Sequence, residues 1–221
     1  MFERYALFEI DKLRDRFALT AGVPKGVKAS YNISPVQLAP VILIRDGARV
    51  MERMKWGFVR SNAKDTNAVF RYKTFIAKSE DALSKPTWET AVRTRRCLVP
   101  VDGFYEWKME DGKQPYFIRP KAKGSFALAG IYSSWTDPSG TEFGTFAIIT
   151  CSANKEMSNI GSRMPVILHR EDEATWLDPN VSDANTLYDL MRPYYDSSVL
   201  EVRRVGQDVL NAKIDRPELI R

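Results

Sequence analysis

One carboxylate, Glu106, sits within the aromatic run Cys97-Leu98-Val99-Pro100-Val101-Asp102-Gly103-Phe104-Tyr105-Glu106-Trp107-Lys108, just after an Asp-Gly turn signal. Side chains alternate along a strand, so Tyr105 and Trp107 share one face, and Phe104, Glu106 and Lys108 share the other. Two readings are open. In one, Glu106 and Lys108 pair in solvent on an amphipathic strand. In the other, the carboxyl stands in a half-apolar cleft, its pKa raised towards the range useful for general acid work.

Other chemistries have little to work with. The chain has two cysteines and one histidine in 221 residues. A structural zinc site takes about four such ligands, so no metal is expected. A Ser-His-Asp or Cys-His device would have to use His169, which precedes Arg170-Glu171-Asp172-Glu173 and reads as a residue at a helix start. Cys97 and Cys151 each lie at the edge of an apolar strand, the usual setting of a small buried thiol. Residues 2–17 are too charged for a secretory leader, and no run reaches the ~18 apolar residues of a membrane span. No membrane association, a reducing cytoplasmic setting and a monomer are expected.

Lys+Arg number 33 against 28 Asp+Glu, a net charge of +5. Distribution says more than the excess. Arg53, Lys55, Arg60, Lys64, Arg71, Lys73 and Lys78 are interleaved with Trp56, Phe58, Phe70, Tyr72 and Phe75. A single nucleic-acid strand suits such a surface, because phosphates take the charge and bases stack on rings.

The elements that must position these residues are legible in outline. Ile10, Leu13, Phe17 and Ala18 fall at helical spacing over 9–19. Val41–Ile44 and Arg49–Trp56 read as strands flanking Asp46-Gly47. Ala77–Ala91 reads as helical, interrupted by Pro86. Cys97–Val101, Phe104–Met109, Tyr116–Arg119, Phe126–Trp135 and Glu142–Thr150 form a strand series separated by turn residues. Glu171–Leu177 and Ala184–Met191 read as helices, the second with Asp183 as N-cap, and Val199–Val205 as a late strand. Strands in the middle and helices at the flanks predict α+β, with 1–221 as one domain.

The central run resembles the signature of the SRAP family (SOS-response-associated peptidases, or abasic-site processing proteins). The resemblance extends in order through Tyr31-Asn32-Ile33-Ser34-Pro35, Trp56-Gly57-Phe58, Asn67-Ala68, Lys113-Gln114-Pro115-Tyr116, Phe126 to Tyr132, Thr150 to Ala153, Arg163 to Leu168 and Trp176-Leu177. It implies a twisted, partly closed antiparallel β core (a pseudo-barrel) with peripheral helices. It also implies capture of the ring-opened aldehyde of an abasic site by the amine and thiol of an N-terminal cysteine, giving a thiazolidine, with no cofactor.

Carried over residue by residue, Asn67 matches the asparagine that orients the amine or the sugar oxygens, and Glu106 the proton donor to the opening sugar. Arg4 and Arg163 match arginines on DNA phosphates, although each could equally be an ion-pair partner. Pro35 and Thr150 fall where the family lines its DNA cleft. Arg71 lies close to a family arginine without aligning, and Trp56 belongs to the basic-aromatic segment. Two positions depart. The family's Met-Cys-Gly-Arg-aromatic start is Met1-Phe2-Glu3-Arg4-Tyr5 here, and its Ile-His-x-Arg-x-Pro is Ile160-Gly161-Ser162-Arg163-Met164-Pro165. The cysteine is thus Phe2 and the histidine Gly161. Met1, Asn67, Glu106 and Gly161 are expected to converge on one cleft. The function expected is binding of single-stranded or junction DNA and abasic sites, with the crosslinking lost or altered and the Met1 amine a possible imine former. The alternatives are a non-catalytic DNA-binding or competitor protein of a mobile element, or a hydrolase on the same scaffold.

Overall fold

The computed structural model describes residues 2–63, 68–109, 112–122, 124–137, 139–193 and 199–221, the side chains of Ala68 and Phe70 excepted. The chain opens with β1 (Arg4–Leu7), a 3-10 turn (Ile10–Lys12) and α1 (Leu13–Phe17), then β2 (Ser30–Ile33). β3 (Leu38–Arg45) and β4 (Ala48–Trp56) form the hairpin expected around Asp46-Gly47. Those two residues take φ of 50° and 75°, which a two-residue turn matched to strand twist demands. After α2 (Ala68–Arg71) come β5 (Ile76–Lys78), α3 (Ser79–Ala82) and α4 (Glu89–Thr94). The strand series follows as β6 (Arg96–Val101), β7 (Gly103–Met109), β8 (Lys113–Pro120), β9 (Phe126–Thr136) and β10 (Glu142–Ser152). β11 (Arg163–Pro165), β12 (Ile167–Leu168), α5 (Glu173–Leu177), α6 (Ala184–Leu190) and β13 (Leu200–Arg204) complete the order.

Pairings run β4–β3–β6–β9–β10 and return from β10 to β4, closing a five-stranded barrel. Closure removes free edges from these strands. The seam is parallel: Thr145 pairs with Lys55 and Phe146 with Trp56, and β5 also lies parallel to β10. The barrel is therefore fully closed and not purely antiparallel.

A second sheet, ordered β13-β8-β7-β1-β2, packs on the barrel. Its two faces follow the alternation in β7. Phe104 enters the main core, whereas Tyr105, Trp107 and Phe117 join a smaller cluster with Val205, Val209 and Leu219. The chain changes sheets at Asp102, whose buried carboxylate accepts from the amides of Phe8 (2.5 Å) and Glu9 (2.7 Å) and from the Ser125 hydroxyl (2.5 Å). Gly103 follows because a Cβ there would lie 2.0 Å from Phe117 Cζ.

Two expected helices are corrected. Asp102 holds residues 8 and 9 outside any helix, and Ala18 ends α1 in the left-handed region (φ 52°), so the 9–19 pattern yields only a 3-10 turn and a short helix. In 77–91, Ile76 and Ala77 pair with Ile148 and Ile149 as strand, leaving two short helices on either side of Pro86. The later helices hold, with Asp183 accepting from the Thr186 amide as N-cap.

Candidate functional site

Glu106 projects from β7 into the interior and is 2% exposed, so the reading in which it pairs in solvent is set aside. The Trp107 amide donates to its Oε1 at 3.2 Å. Burial raises its pKa above the ordinary carboxylate range, and the negative charge of Glu3 adds to the rise. A carboxyl so placed keeps its proton to higher pH, as a proton donor must.

Gly161 lies directly against it. A Cβ at Gly161 would stand 3.2 Å from Glu106 Cγ and 3.7 Å from its Oε1. Glycine lets the backbone pack against the buried carboxyl on that side, and any larger residue would touch it.

Phe2 is 1% exposed. Its ring lies 5.7 Å from Trp56 and 5.9 Å, edge-on, from Phe104, two residues before Glu106. Burying a phenylalanine contributes about 1.5–3 kcal/mol. Position 2 is therefore an apolar anchor that packs the start of β1 onto the barrel.

Trp56 requires a correction. The indole is fully buried, stacks on Phe146 at 6.3 Å and donates from Nε1 to the Phe75 carbonyl at 2.8 Å. It is a core residue and offers no face to a base. Phe58 and Phe75 are buried as well, whereas Tyr72 is 69% exposed with the Arg71 guanidinium 5.9 Å from its ring. Among the described side chains of the segment, the exposed aromatic ring is Tyr72, flanked by exposed Arg71 and Lys73.

Arg163 on β11 is held on two sides. Its Nε donates to Thr150 Oγ1 at 3.2 Å and its Nη2 to the Thr150 carbonyl at 2.7 Å. Both of its terminal nitrogens reach Glu80 on α3 at 2.9 Å, a fork that draws the Glu80 pKa down to about 2. Thr150 is buried behind Arg163 and positions it. Arg4 is paired in register with Tyr105, beside Glu106 in sequence. Its Nη1 donates to the Glu3 carbonyl at 2.8 Å, its Nε is buried without a partner among the described residues, and burial lowers its pKa. Pro35 sits in a half-buried turn whose Val36 amide donates to the Trp56 carbonyl at 2.7 Å.

The structure thus brings Glu106, Gly161, Arg4 and Phe2 into one region, with Arg163 two residues beyond Gly161. Met1, Lys64 and Asn67 lie outside the described residues. Val69, two residues after Asn67, is packed so closely on Gly57 that a Cβ there would meet Val69 Cγ1 at 2.5 Å. Sequence reasoning missed Glu80 and Glu3. Only Glu3 left a signal, since it replaces the glycine of the Met-Cys-Gly-Arg string. Asn32, by contrast, is structural: its amide nitrogen donates to the carbonyls of Val209, Asn211 and Ile214, fastening the C-terminal segment. No group of three or more His, Cys, Asp or Glu is arranged to hold a metal among the described residues. No helix among them is long and apolar enough to cross a membrane.

The model of the SOS response associated peptidase (SRAP) family matches residues 1–212. The chain belongs to the SRAP family. The abasic site processing protein YoqW of Bacillus subtilis is 37% identical over 225 residues, spanning 100% of this SRAP chain and 99% of that protein. The Gallus gallus abasic site processing protein HMCES is 33% identical, over 87% of this chain and 66% of its own length. A crystal structure of a Bacteroides thetaiotaomicron protein superposes with a TM-score of 0.88 at 26% identity, covering 100% of this chain and 98% of that one. A phage-related protein of Bordetella bronchiseptica gives 0.68 at 25% identity, covering 93% and 94%.

Proposed function

We propose that this SRAP chain binds single-stranded or junction DNA at abasic sites, and that it does so without cysteine-dependent crosslinking. The observation that carries this reading is the juxtaposition of a retained, buried Glu106 with a Phe2 locked into the core. A thiazolidine needs an amine and a thiol on adjacent carbons. Position 2 has no thiol, and Cys97 and Cys151 are internal, buried and pushed up in pKa by that burial, Cys151 to about 12.

Glu106 then acts as proton donor to the sugar as its ring opens. Any covalent intermediate is a reversible imine, which we assign to the Met1 amine. We assign DNA phosphates to Arg4, Arg163 and Arg71, and a stacked base to Tyr72. The chain acts as a monomer in the cytoplasm in this reading.

Binding to an abasic oligonucleotide and to its intact counterpart tests the proposal. Tighter binding of the abasic strand is expected, with Glu106→Gln lowering any imine formation or nicking by about 10²–10⁴-fold while leaving binding in place. Equal affinity for the two strands would contradict it. The packing of Phe2 favours one second reading, a non-catalytic DNA-binding protein, and the same experiment separates it by abasic-selective retention without any chemistry.

A further inference from the structure

One cavity is bordered by two arginines, with no anion opposite them among the described residues. It has a volume of about 270 Å³ and is lined in part by Arg60, Ser61, Asn62, Thr87, Thr90 and Arg95, with no Asp or Glu among the described residues of its wall. Arg95 Nε is buried and has no hydrogen-bond partner among the described residues. Its neighbours are accounted for: Arg93 pairs with Glu89, and Arg96 donates to the carbonyls of Val92, Arg93, Trp176 and Asp178. Neither Arg60 nor Arg95 forms an ion pair among the described residues. A buried donor without a partner is costly, and a pair of guanidiniums in one cavity, without a counter-charge among the described residues, is the arrangement that recognises an anion.

The cavity is separate from the Glu106 site. Ser133 on its wall pairs with Thr145 of β10, whereas Arg163 pairs with Ser152 at the other end of that strand. The seven residue-to-residue steps of strand from 145 to 152 span roughly 23 Å.

We propose that this cavity binds a phosphate group, with Arg60 and Arg95 as its charged donors. Donors reach it from three directions: the turn after β4 (Arg60, Asn62), the connection before α4 (Thr87), and α4 with its C-terminal cap (Thr90, Arg95). A tetrahedral anion with oxygens on every side satisfies such a set better than a planar carboxylate, which engages a single fork. The volume lies just below the ~300–1,000 Å³ typical of ligand pockets, which suits a phosphate or one phosphate ester. That chemistry is shared by a DNA backbone phosphate and a free phosphate.

The test is a titration of the full-length wild-type protein, following the side-chain Nε–Hε resonances of Arg60 and Arg95 by NMR. Inorganic phosphate is expected to shift both resonances saturably, with a midpoint on the order of 1 mM. Sodium chloride at matched ionic strength is expected to leave them in place. The Arg60→Gln/Arg95→Gln variant should lose the phosphate-induced shifts of the surrounding amides. An undamaged single-stranded oligonucleotide distinguishes the sources. Shifts of the same two resonances support a backbone phosphate, and shifts with inorganic phosphate alone support a free phosphate ester. No shift with either ligand, or equal shifts in chloride, would overturn the proposal. The undamaged strand keeps this result independent of the abasic-site reading, and the wild-type titration stands even if the variant fails to fold.

Discussion

At the scale of single residues, Glu106 sets stability against chemistry. Its folded-state pKa is raised by burial, so the native state holds the proton more tightly than the unfolded chain. The stability it contributes is fully present below the unfolded value of about 4.3 and is lost as pH rises through the folded pKa. Glu106→Gln is therefore expected to make the protein more stable at pH 7 and to flatten its stability between pH 4 and neutrality, as read by urea unfolding across that range. A variant less stable than wild type at pH 7 would show that the site favours the charged carboxylate. The aromatic strand locates Glu106 in the sequence but leaves two readings open, because alternation assigns a face without saying what covers it. Trp56 escapes sequence reasoning for the same reason: spacing shows aromatics among cations, but burial depends on the parallel seam with β10, which joins segments far apart in sequence.

At the scale of elements, α3 and β11 act as a pair, since Glu80 occupies the guanidinium that a phosphate would need. Glu80 is the reverse of Glu106 in linkage. Its depressed pKa of about 2 gives stability that is present above the unfolded value and lost as pH falls towards 2. With its side chain 48% exposed, that contribution is heavily screened. Its effect on DNA is the more direct measure. Glu80→Gln leaves Arg163 held by Thr150 and removes the competing charge, so affinity for single-stranded DNA should rise about fivefold at low salt, the ratio for about 1 kcal/mol between charges ~4 Å apart in water. Fluorescence anisotropy reads this, and unchanged or weaker binding would place the phosphates elsewhere. The junction between sheets makes a second demand. Gly103→Ala should cost about 1–3 kcal/mol in denaturant unfolding, because the new methyl group meets Phe117. The hairpin at Asp46-Gly47 and the series from β6 to β10 were legible from turn residues and alternation. The early helix and the 77–91 segment were not, since a carboxylate from position 102 and a strand from β10 decide them.

At the scale of the whole molecule, a closed barrel and a second sheet bring the N-terminal strand, β7 and the segment before β11 to one place. Ordered motifs along the chain disclosed the family and its α+β fold, and closure of the barrel followed only from the pairings themselves. The site that results retains its carboxyl group and holds a phenyl ring in place of the expected thiol. The most direct test is a denaturing gel of the wild-type chain after incubation with an abasic oligonucleotide, with and without borohydride. No adduct should survive denaturation without reductant, and any adduct should appear only on borohydride trapping. Phe2→Cys should gain a heat-stable adduct, and Phe2→Cys with Gly161→His should form it faster. A wild-type adduct that survives heating without reductant would contradict the account.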